Sequence, residues 1–295
     1  MIPRLLLLAL LGLPAATNAQ DPDLLRPYSA VECPSCAEWN LPHRPVHLVG
    51  NTFYVGTSGL ASVLITSPDG HILIDGGLPD SAPLILSNIR ALGFDPADVR
   101  FILNSHAHYD HAGGIAALQD ATGAQVLVSE ASAEVLTTGR AGLDDPQHDV
   151  ALLMPAVQNV GVVREHEVVR LGALELTMHP TPGHTPGGTS WSWRSCEGQR
   201  CLSFVYADSQ TPISDDGFRF TSGTRYANAV SDFERGHALL ERLTCDVLIT
   251  PHPAASAFWE RVKTAPDGLV DDEACRRYVS AARRQLAARL ARERQ

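Results

Sequence analysis

The 295-residue sequence predicts a single α/β domain with two β-sheets and helices outside them. Strand-like and helix-like segments alternate along the chain, a mixture typical of layered α/β architectures. Hydrophobic residues make up 44% of the chain and charged residues 19%, which excludes the disordered and fibrous classes. The sequence contains no internal repeat, low-complexity stretch or linker, so we interpret it as one domain.

In the first half of the chain, short hydrophobic runs separated by Gly and Ser-Pro turns predict strands. Ser81 and Gly93 mark the beginning and the end of a segment with helical spacing. The predicted strands are 52–55, 61–66, 71–75, 99–103 and 125–129, and the predicted helices are 81–92, 115–121 and 131–137.

A long polar segment that contains prolines, residues 139–157, predicts a loop between the two halves. Hydrophobic runs after it predict a second group of strands, followed by two helices with one more strand between them. The strands are 168–170, 174–179, 189–193, 202–206 and 247–250, and the helices are 227–243 and 271 onward.

The net charge of −10 argues against a nucleic-acid-binding protein, which normally carries a basic surface. The terminal helix is rich in arginine, a pattern that also occurs in helices that bind nucleic acid or an acidic membrane. In an acidic chain we interpret these arginines as a solvated face, opposite a stripe that runs from Tyr278 to Leu290. We therefore expect no nucleic-acid partner, no membrane partner and a monomer.

The N-terminus has the three parts of a secretory signal peptide. Arg4 precedes an apolar run from Leu5 to Leu13, which is too short to span a bilayer. Small residues follow and end at Ala19, where we expect cleavage. This predicts a signal peptide at 1–19, a mature domain at 20–295 and export to the periplasm; an uncleaved anchor is the alternative.

The six cysteines agree with export, because an even number in an exported chain suggests disulfides. Six cysteines allow 15 pairings, and proximity in the sequence favours 33–36, 196–201 and 245–275. The first pair forms a C-x-x-C motif, which is also found in redox-active and metal-binding sites. It lacks the βαβ setting of a thioredoxin site, so we favour a structural bridge.

Metal-binding side chains are concentrated in one loop, between a hydrophobic strand and a helix. The segment Asn-Ser-His-Ala-His-Tyr-Asp-His places His106, His108, Asp110 and His111 within six residues. Imidazole and carboxylate together suit zinc and similar divalent ions. Two more histidines stand in loops at strand ends and complete six ligands, namely His184 and His252. Three ligands per metal leave open positions, as in catalytic zinc sites.

The H-x-H-x-D-H motif, His184 in G-H-T-P-G and then His252 together resemble the metallo-β-lactamase superfamily, over essentially the whole mature chain. Within it the sequence is similar to the third subclass of class B β-lactamases. This resemblance implies a four-layer αββα sandwich and two zinc ions per chain. His106, His108 and His184 would bind the first ion, and Asp110, His111 and His252 the second.

The implied activity is zinc-dependent hydrolysis of the β-lactam amide bond of penicillins, cephalosporins and carbapenems, which confers antibiotic resistance. A metal-bound hydroxide would attack without a covalent acyl-enzyme, and Asp110 would orient it. Ser209, Thr211 and Gln147 are the candidate substrate-binding residues. Asp75, which resembles a family position supporting the metal loop, is either a support for a ligand or a simple turn residue.

Two other functions stay open at this point. An exported hydrolase of the same fold that acts on lactones or thioesters is the first, and Asp208 would then be a candidate bridging ligand. A non-catalytic zinc-binding protein is the second. Assays with β-lactams, lactones and thioesters distinguish these two functions from that of a β-lactamase.

Overall fold

Two β-sheets form the centre of the computed structural model, which describes residues 33–264 and 267–295. The predicted signal peptide, residues 1–19, lies outside the described residues. The predicted loop at 139–157 contains no helix or strand.

The first sheet has seven strands in the order of the chain, β1 to β7. Neighbours are antiparallel from β1 to β4 and parallel from β4 to β7. The strands are β1 (Val46–Val49), β2 (Thr52–Tyr54), β3 (Val63–Ser67), β4 (Gly70–Ile74), β5 (Val99–Leu103), β6 (Gln125–Val128) and β7 (Val160–Val162).

The second sheet has five strands in the order β12-β11-β10-β9-β8. All pairs are antiparallel except β11 with β12. The strands are β8 (Val168–Leu171), β9 (Leu174–Pro180), β10 (Thr189–Glu197), β11 (Arg200–Tyr206) and β12 (Val247–Ile249).

Eight α-helices accompany the sheets in the described part of the chain. They are α1 (Cys36–Trp39), α2 (Ala82–Ala91), α3 (Tyr109–Ala112), α4 (Ile115–Thr122), α5 (Glu130–Thr138), α6 (Ala229–Leu240), α7 (Phe258–Val262) and α8 (Ala274–Glu293).

The side chains of the first sheet alternate between two separate cores, as the two-residue period of a strand requires. Leu64 and Leu73 pack against the core that includes α2 and α4, whereas Ile65 and Ile72 face the second sheet. A third core joins the second sheet to α6 and α8. The layers are therefore helix, sheet, sheet and helix, and the predicted αββα sandwich is confirmed.

The sequence patterns locate most elements but miss two edge strands. β1 and β7 are short and partly exposed, and Gly161 interrupts the apolar pattern of β7. Strand β10 runs to Glu197, beyond the predicted 189–193, because the whole hairpin with β11 is paired. The predicted helix 227–243 is shorter, and the last helix starts at Ala274 rather than at 271.

All three predicted disulfides are present: Cys33–Cys36, Cys196–Cys201 and Cys245–Cys275. Such bridges persist in oxidising compartments, which agrees with an exported protein. None of the helices within the described residues is both long enough and apolar enough to cross a bilayer.

The arginines of α8 are largely neutralised by acidic neighbours. Arg283 pairs with Glu241 at 2.7 Å, and Arg289 pairs with Glu293 at 2.6 Å. Arg276 pairs with Glu273 and Arg277 with Asp271. These pairs favour the interpretation that the arginines form a solvated face of the helix.

Candidate metal centre

The segment that carries four of the six candidate ligands begins directly after β5 and is held by Asp75. It is not entirely the predicted loop, because Asp110 and His111 lie on the short helix α3. The Asp75 carboxylate accepts hydrogen bonds from the backbone N–H of Ser105 at 2.7 Å, the Asn104 amide at 3.0 Å and the Tyr206 hydroxyl at 2.7 Å. Asp75 has a φ of 61°, a left-handed conformation that is strained for a non-glycine residue. Asp75 therefore supports the ligand segment by accepting hydrogen bonds from the backbone and side chains of Asn104 and Ser105.

Glycines allow the rest of this loop to approach the chain after β4. The N–H of Gly114 donates to the carbonyl of Gly77 at 3.0 Å. A Cβ atom on Gly114 would lie 2.2 Å from the carbonyl oxygen of Gly76, which no larger residue tolerates. This close contact fixes where α4 starts relative to the ligand loop.

His184 lies in the loop between β9 and β10, and His252 follows β12. The N–H of Thr189 donates to the carbonyl of Ser105 at 2.7 Å, which joins the His184 loop to the first ligand loop. The ring of Trp39 packs on His252, with ring centres 4.8 Å apart. The candidate ligands thus come from both sheets and meet where their strands end.

The first group consists of His106, His108 and His184. One ring nitrogen of each lies within 4.8 Å of the others, and all three side chains are buried. The remaining ring nitrogens are occupied: His106 Nδ1 bonds Asp208 at 2.7 Å, His108 Nε2 bonds Asp145 at 2.9 Å, and His184 Nδ1 bonds the Thr211 carbonyl at 2.8 Å. Such outer partners fix which nitrogen remains for a metal ion.

The second group consists of Asp110, His111 and His252. Oδ2 of Asp110 lies 3.1 Å from Nε2 of His111 and 3.1 Å from Nε2 of His252. The two imidazole nitrogens are 3.3 Å apart. His106, Asp110 and His111 also bring ligand atoms within 4.8 Å of one another, so the two groups adjoin.

Metal binding needs neutral imidazoles and ionised carboxylates, and three of the six candidate ligands are shifted in that direction. Two others are shifted the opposite way, because against the effect of burial Asp145 raises the pKa of His108 and Asp110 raises the pKa of His252. Burial, together with neighbouring histidines, lowers the pKa of His106 well below its usual value and lowers the pKa of His184 to about 3. Burial alone would raise the pKa of Asp110, but His111 and His252 hold it well below its usual range. At neutral pH His106 and His184 are therefore neutral, and Asp110 is ionised.

The donor set fits a transition-metal ion such as zinc. Nε2 of His106 is buried without a hydrogen-bond partner, although the other nitrogen of the ring is satisfied. Buried polar atoms are rarely left unpaired unless a ligand or ion completes them. Imidazole nitrogens with one carboxylate are the ligand types that zinc prefers.

The three predicted substrate residues lie around the ligand groups. Nε2 of Gln147 lies 3.5 Å from Nε2 of His184. The backbone carbonyl of Thr211 bonds Nδ1, the other nitrogen of the same ring. Ser209 is buried beside Asp208 on the same loop. The Asp208 carboxylate contacts His106 on Nδ1, away from the unpaired Nε2.

A cavity of about 150 Å³ borders the centre, between the ligand loop, the N-terminal segment and the 139–157 loop. Its lining includes His108, Asp110, Gln147 and the ring of Trp39. A larger cavity of about 640 Å³ is lined in part by Gly187 and Gly188 and by none of the six candidate ligands. Of these two cavities, only the smaller one is lined by candidate metal ligands.

Sequence reasoning missed Asp145 and Trp39. Asp145 lies in a loop without periodicity, and its contact with His108 spans 37 positions. Trp39 lies 213 positions before His252, on the short helix α1 after the C-x-x-C motif. The only available signal was that the predicted 139–157 loop is polar and contains three acids, Asp144, Asp145 and Asp149.

Comparison with known proteins agrees with this geometry. The family model of the metallo-beta-lactamase superfamily matches residues 56–197. The Rm3 metallo-beta-lactamase is 50% identical, with a TM-score of 0.88 over 89% of this chain and 99% of that one. MEM-A1, a subclass B3 enzyme from a soil metagenome library, is 46% identical, with a TM-score of 0.85 over 86% and 98%. The chain belongs to the metallo-beta-lactamase superfamily.

Within the superfamily, these neighbours confirm the predicted resemblance to the third subclass of class B. A more distant curated relative is the hydroxyacylglutathione hydrolase of Anaeromyxobacter dehalogenans (strain 2CP-C), which is 40% identical over 130 residues. That match covers 44% of this chain and spans only 40% of the relative's length.

Proposed function

We propose that this chain is a β-lactamase that hydrolyses the β-lactam amide bond of penicillins, cephalosporins and carbapenems with two zinc ions. The observation that carries the proposal is the pair of adjoining ligand groups, in a chain that covers 99% of a metallo-beta-lactamase at 50% identity. Three protein ligands per ion leave positions for water and substrate, as hydrolytic zinc sites require.

The first ion would be held by His106, His108 and His184, and the second by Asp110, His111 and His252. The outer bonds to Asp208, Asp145 and the Thr211 carbonyl orient the first three rings before any ion binds. Zinc in such a site lowers the pKa of bound water to about 7 and polarises a carbonyl group.

The protein's own contribution is to place charge and hydrogen bonds around the scissile amide. The ionised Asp110 lies between two histidines and can orient an attacking water molecule. Ser209, Thr211 and Gln147 would bind the carboxylate of the substrate, in a centre made cationic by the metal ions. Because no serine nucleophile is needed, an inhibitor that acylates serine, such as clavulanate, should leave hydrolysis intact.

We also propose that the protein works in the periplasm as a monomer. The disulfides and the sequence of residues 1–19 support export. Mass spectrometry of secreted protein should find Gln20 as its first residue, and light scattering should give the mass of one chain. A retained residue 1, or a dimer mass, would contradict these statements.

Absorbance assays of carbapenem, cephalosporin and penicillin hydrolysis by the purified mature protein test the main proposal. We expect turnover that a chelator abolishes and added zinc restores, with two zinc ions per chain by elemental analysis. The control is an equimolar sample of the chelator-treated protein given magnesium, which prefers oxygen ligands and should not restore activity.

The competing function is hydrolysis of a lactone or thioester by the same centre. The similarity to a hydroxyacylglutathione hydrolase is the reason to test these substrates, although that match covers less than half of this chain. Turnover of a lactone or thioester by the zinc-loaded protein, with none of any β-lactam, would overturn the β-lactamase proposal. Absence of turnover on all substrates with zinc fully bound would favour a non-catalytic zinc-binding protein.

A further inference from the structure

Asp145 connects the 139–157 loop directly to the metal centre. Oδ2 of Asp145 accepts a hydrogen bond from Nε2 of His108 at 2.9 Å. Only 4% of Asp145 and 8% of His108 are exposed to solvent, so water competes little for this bond. A hydrogen bond to a charged acceptor in such a site is stronger than a neutral one.

The second oxygen of the same carboxylate holds the chain beside the candidate substrate residue. Oδ1 of Asp145 accepts a hydrogen bond from the backbone N–H of Gln147 at 2.7 Å. The side chain of Gln147 in turn reaches toward His184, with the two Nε2 atoms 3.5 Å apart. One buried carboxylate therefore contacts both a candidate ligand and the backbone of a candidate substrate residue.

The backbone around Asp145 has an independent anchor. The carbonyl of Pro146 accepts a hydrogen bond from the N–H of Asp215 at 2.9 Å, and the N–H of Asp149 donates to the Asp215 carboxylate at 3.2 Å. Arg225 donates to Asp215 at 2.6 Å and to Asp149 at 3.3 Å. Residues 142–149, which we call the Asp145 turn, are therefore joined to the loop after β11 without the Asp145 side chain.

We propose that Asp145 is a positioning residue that orients His108 for metal binding and at the same time fixes Gln147 at the edge of the cavity beside the metal centre. The inference rests on the proposed function for the role of Gln147, but its metal-binding part does not require any particular substrate. Because Asp145 occupies Nε2 of His108, Nδ1 is the nitrogen that remains for the metal ion. Loss of the carboxylate would allow the ring to turn and the other tautomer to form.

The test measures zinc binding and kinetics separately in the full-length mature protein. Zinc affinity is measured by competition with a chromophoric chelator for the parent and for Asp145→Ala, Asp145→Asn, Gln147→Ala and Asp144→Asn. Asp144 is the exposed neighbour, so Asp144→Asn removes the same charge from the same turn and is the matched control.

We expect Asp145→Ala to bind zinc about 10- to 100-fold more weakly, the usual cost of losing an outer partner of a ligand. Asp145→Asn keeps a neutral acceptor oxygen and should lose less. Asp144→Asn should match the parent.

Gln147→Ala should raise KM without changing zinc affinity, whereas Asp145→Ala should change both. Histidine NMR of the zinc-loaded parent should show a His108 Nε2–H signal that Asp145→Ala lacks.

Three outcomes would overturn the proposal. The first is parent-like zinc affinity in Asp145→Ala, and the second is an equal loss in Asp144→Asn. The third is a change in KM alone, because Asp145 would then act only on the loop. The backbone of the turn is anchored independently, so we expect each variant to stay folded. Circular dichroism checks this and identifies any loss of zinc affinity that comes from unfolding. Zinc affinity is measured without substrate, so failure of the β-lactamase proposal gives a different result from failure of this one.

Discussion

His106 donates a hydrogen bond from Nδ1 to Oδ1 of Asp208 over 2.7 Å, and neither side chain is more than 1% exposed. The bond leaves Nε2 of the ring unpaired inside the protein. The two residues lie 102 positions apart, so a residue that follows β11 of the second sheet orients a candidate ligand that follows β5 of the first sheet.

Replacement of Asp208 should therefore weaken metal binding without removing a ligand. We expect Asp208→Ala to lose about 10- to 100-fold in zinc affinity while it still binds two ions at saturation. Chelator competition measures the affinity, and elemental analysis of the saturated protein measures the stoichiometry. Asp216, an exposed aspartate further along the segment after β11, is changed to Asn as the matched control.

A different result is expected if Asp208 bridges two ions, as in the alternative raised from the sequence. Asp208→Ala would then lose an ion at saturation rather than only affinity. The position of the carboxylate on Nδ1 favours the first result, because the unpaired nitrogen, Nε2, is on the other side of the ring.

The disulfides should contribute to stability according to the length of chain that each one closes. Cys245–Cys275 closes a separation of 30 residues and Cys196–Cys201 a separation of 5. Chain-entropy reasoning gives about 3 to 4 kcal/mol for the longer loop and about 2 kcal/mol for the shorter one. The shorter bridge also joins residues that already pair across the β10–β11 hairpin.

Urea unfolding of the two Cys→Ser double variants measures this difference. We expect the Cys245/Cys275 variant to lose more free energy of unfolding than the Cys196/Cys201 variant. Equal losses, or the reverse order, would show that native-state contacts rather than loop closure determine the contribution of each bridge. The parent protein under the same oxidising conditions is the reference.

His237 should make the protein less stable in mild acid. It lies on α6, only 1% exposed, and burial with the nearby Arg283 lowers its pKa to about 4, while Glu241 opposes this shift. Its pKa in the unfolded chain is about 6.5, so between pH 6.5 and 4 the unfolded state binds more protons. The free energy of unfolding therefore falls as pH falls through this window, by up to about 1.4 kcal/mol per pH unit for one group.

Unfolding of metal-free parent and His237→Gln protein at several pH values measures the effect. Other buried histidines also respond to acid, but they are shared by the two proteins, so the difference in slope isolates His237. We expect a shallower slope for the variant between pH 6.5 and 4 and equal slopes above pH 7. Identical slopes throughout would contradict a lowered pKa at this position.

The sequence was sufficient to predict the layers and the candidate ligands because both depend on local patterns. Alternating apolar residues in β3 and β4 serve two cores, and four of the six candidate ligands share one loop directly after β5. Edge strands such as β7 gave little signal, because a short, half-exposed strand buries too few apolar residues.

The outer partners of the ligands could not be predicted in the same way. Asp145 and Asp208 contact His108 and His106 across 37 and 102 positions, respectively. Nothing in the residues next to either aspartate distinguishes it from a turn residue. Their roles depend on the packing of loops from different layers, which only the folded structure establishes.

Asp110 should matter more than any outer partner, because it is itself a candidate ligand between two histidines. Its Oδ2 atom lies 3.1 Å from both His111 and His252. Asp110→Asn keeps the shape but removes the charge that a second ion needs. We expect zinc content to fall from two ions to one and hydrolysis to fall by at least about 100-fold, since each metal contributes several kcal/mol of charge stabilisation.

Elemental analysis and steady-state kinetics on the same preparation check both parts of this expectation. Asp80→Asn, an exposed carboxylate outside the metal centre, is the matched control and should keep two ions and full turnover. A variant that retains two ions but loses turnover would assign Asp110 to water orientation alone. A variant that loses one ion but keeps turnover would mean that the first ion suffices for hydrolysis, so that His111 and His252 are dispensable for the reaction.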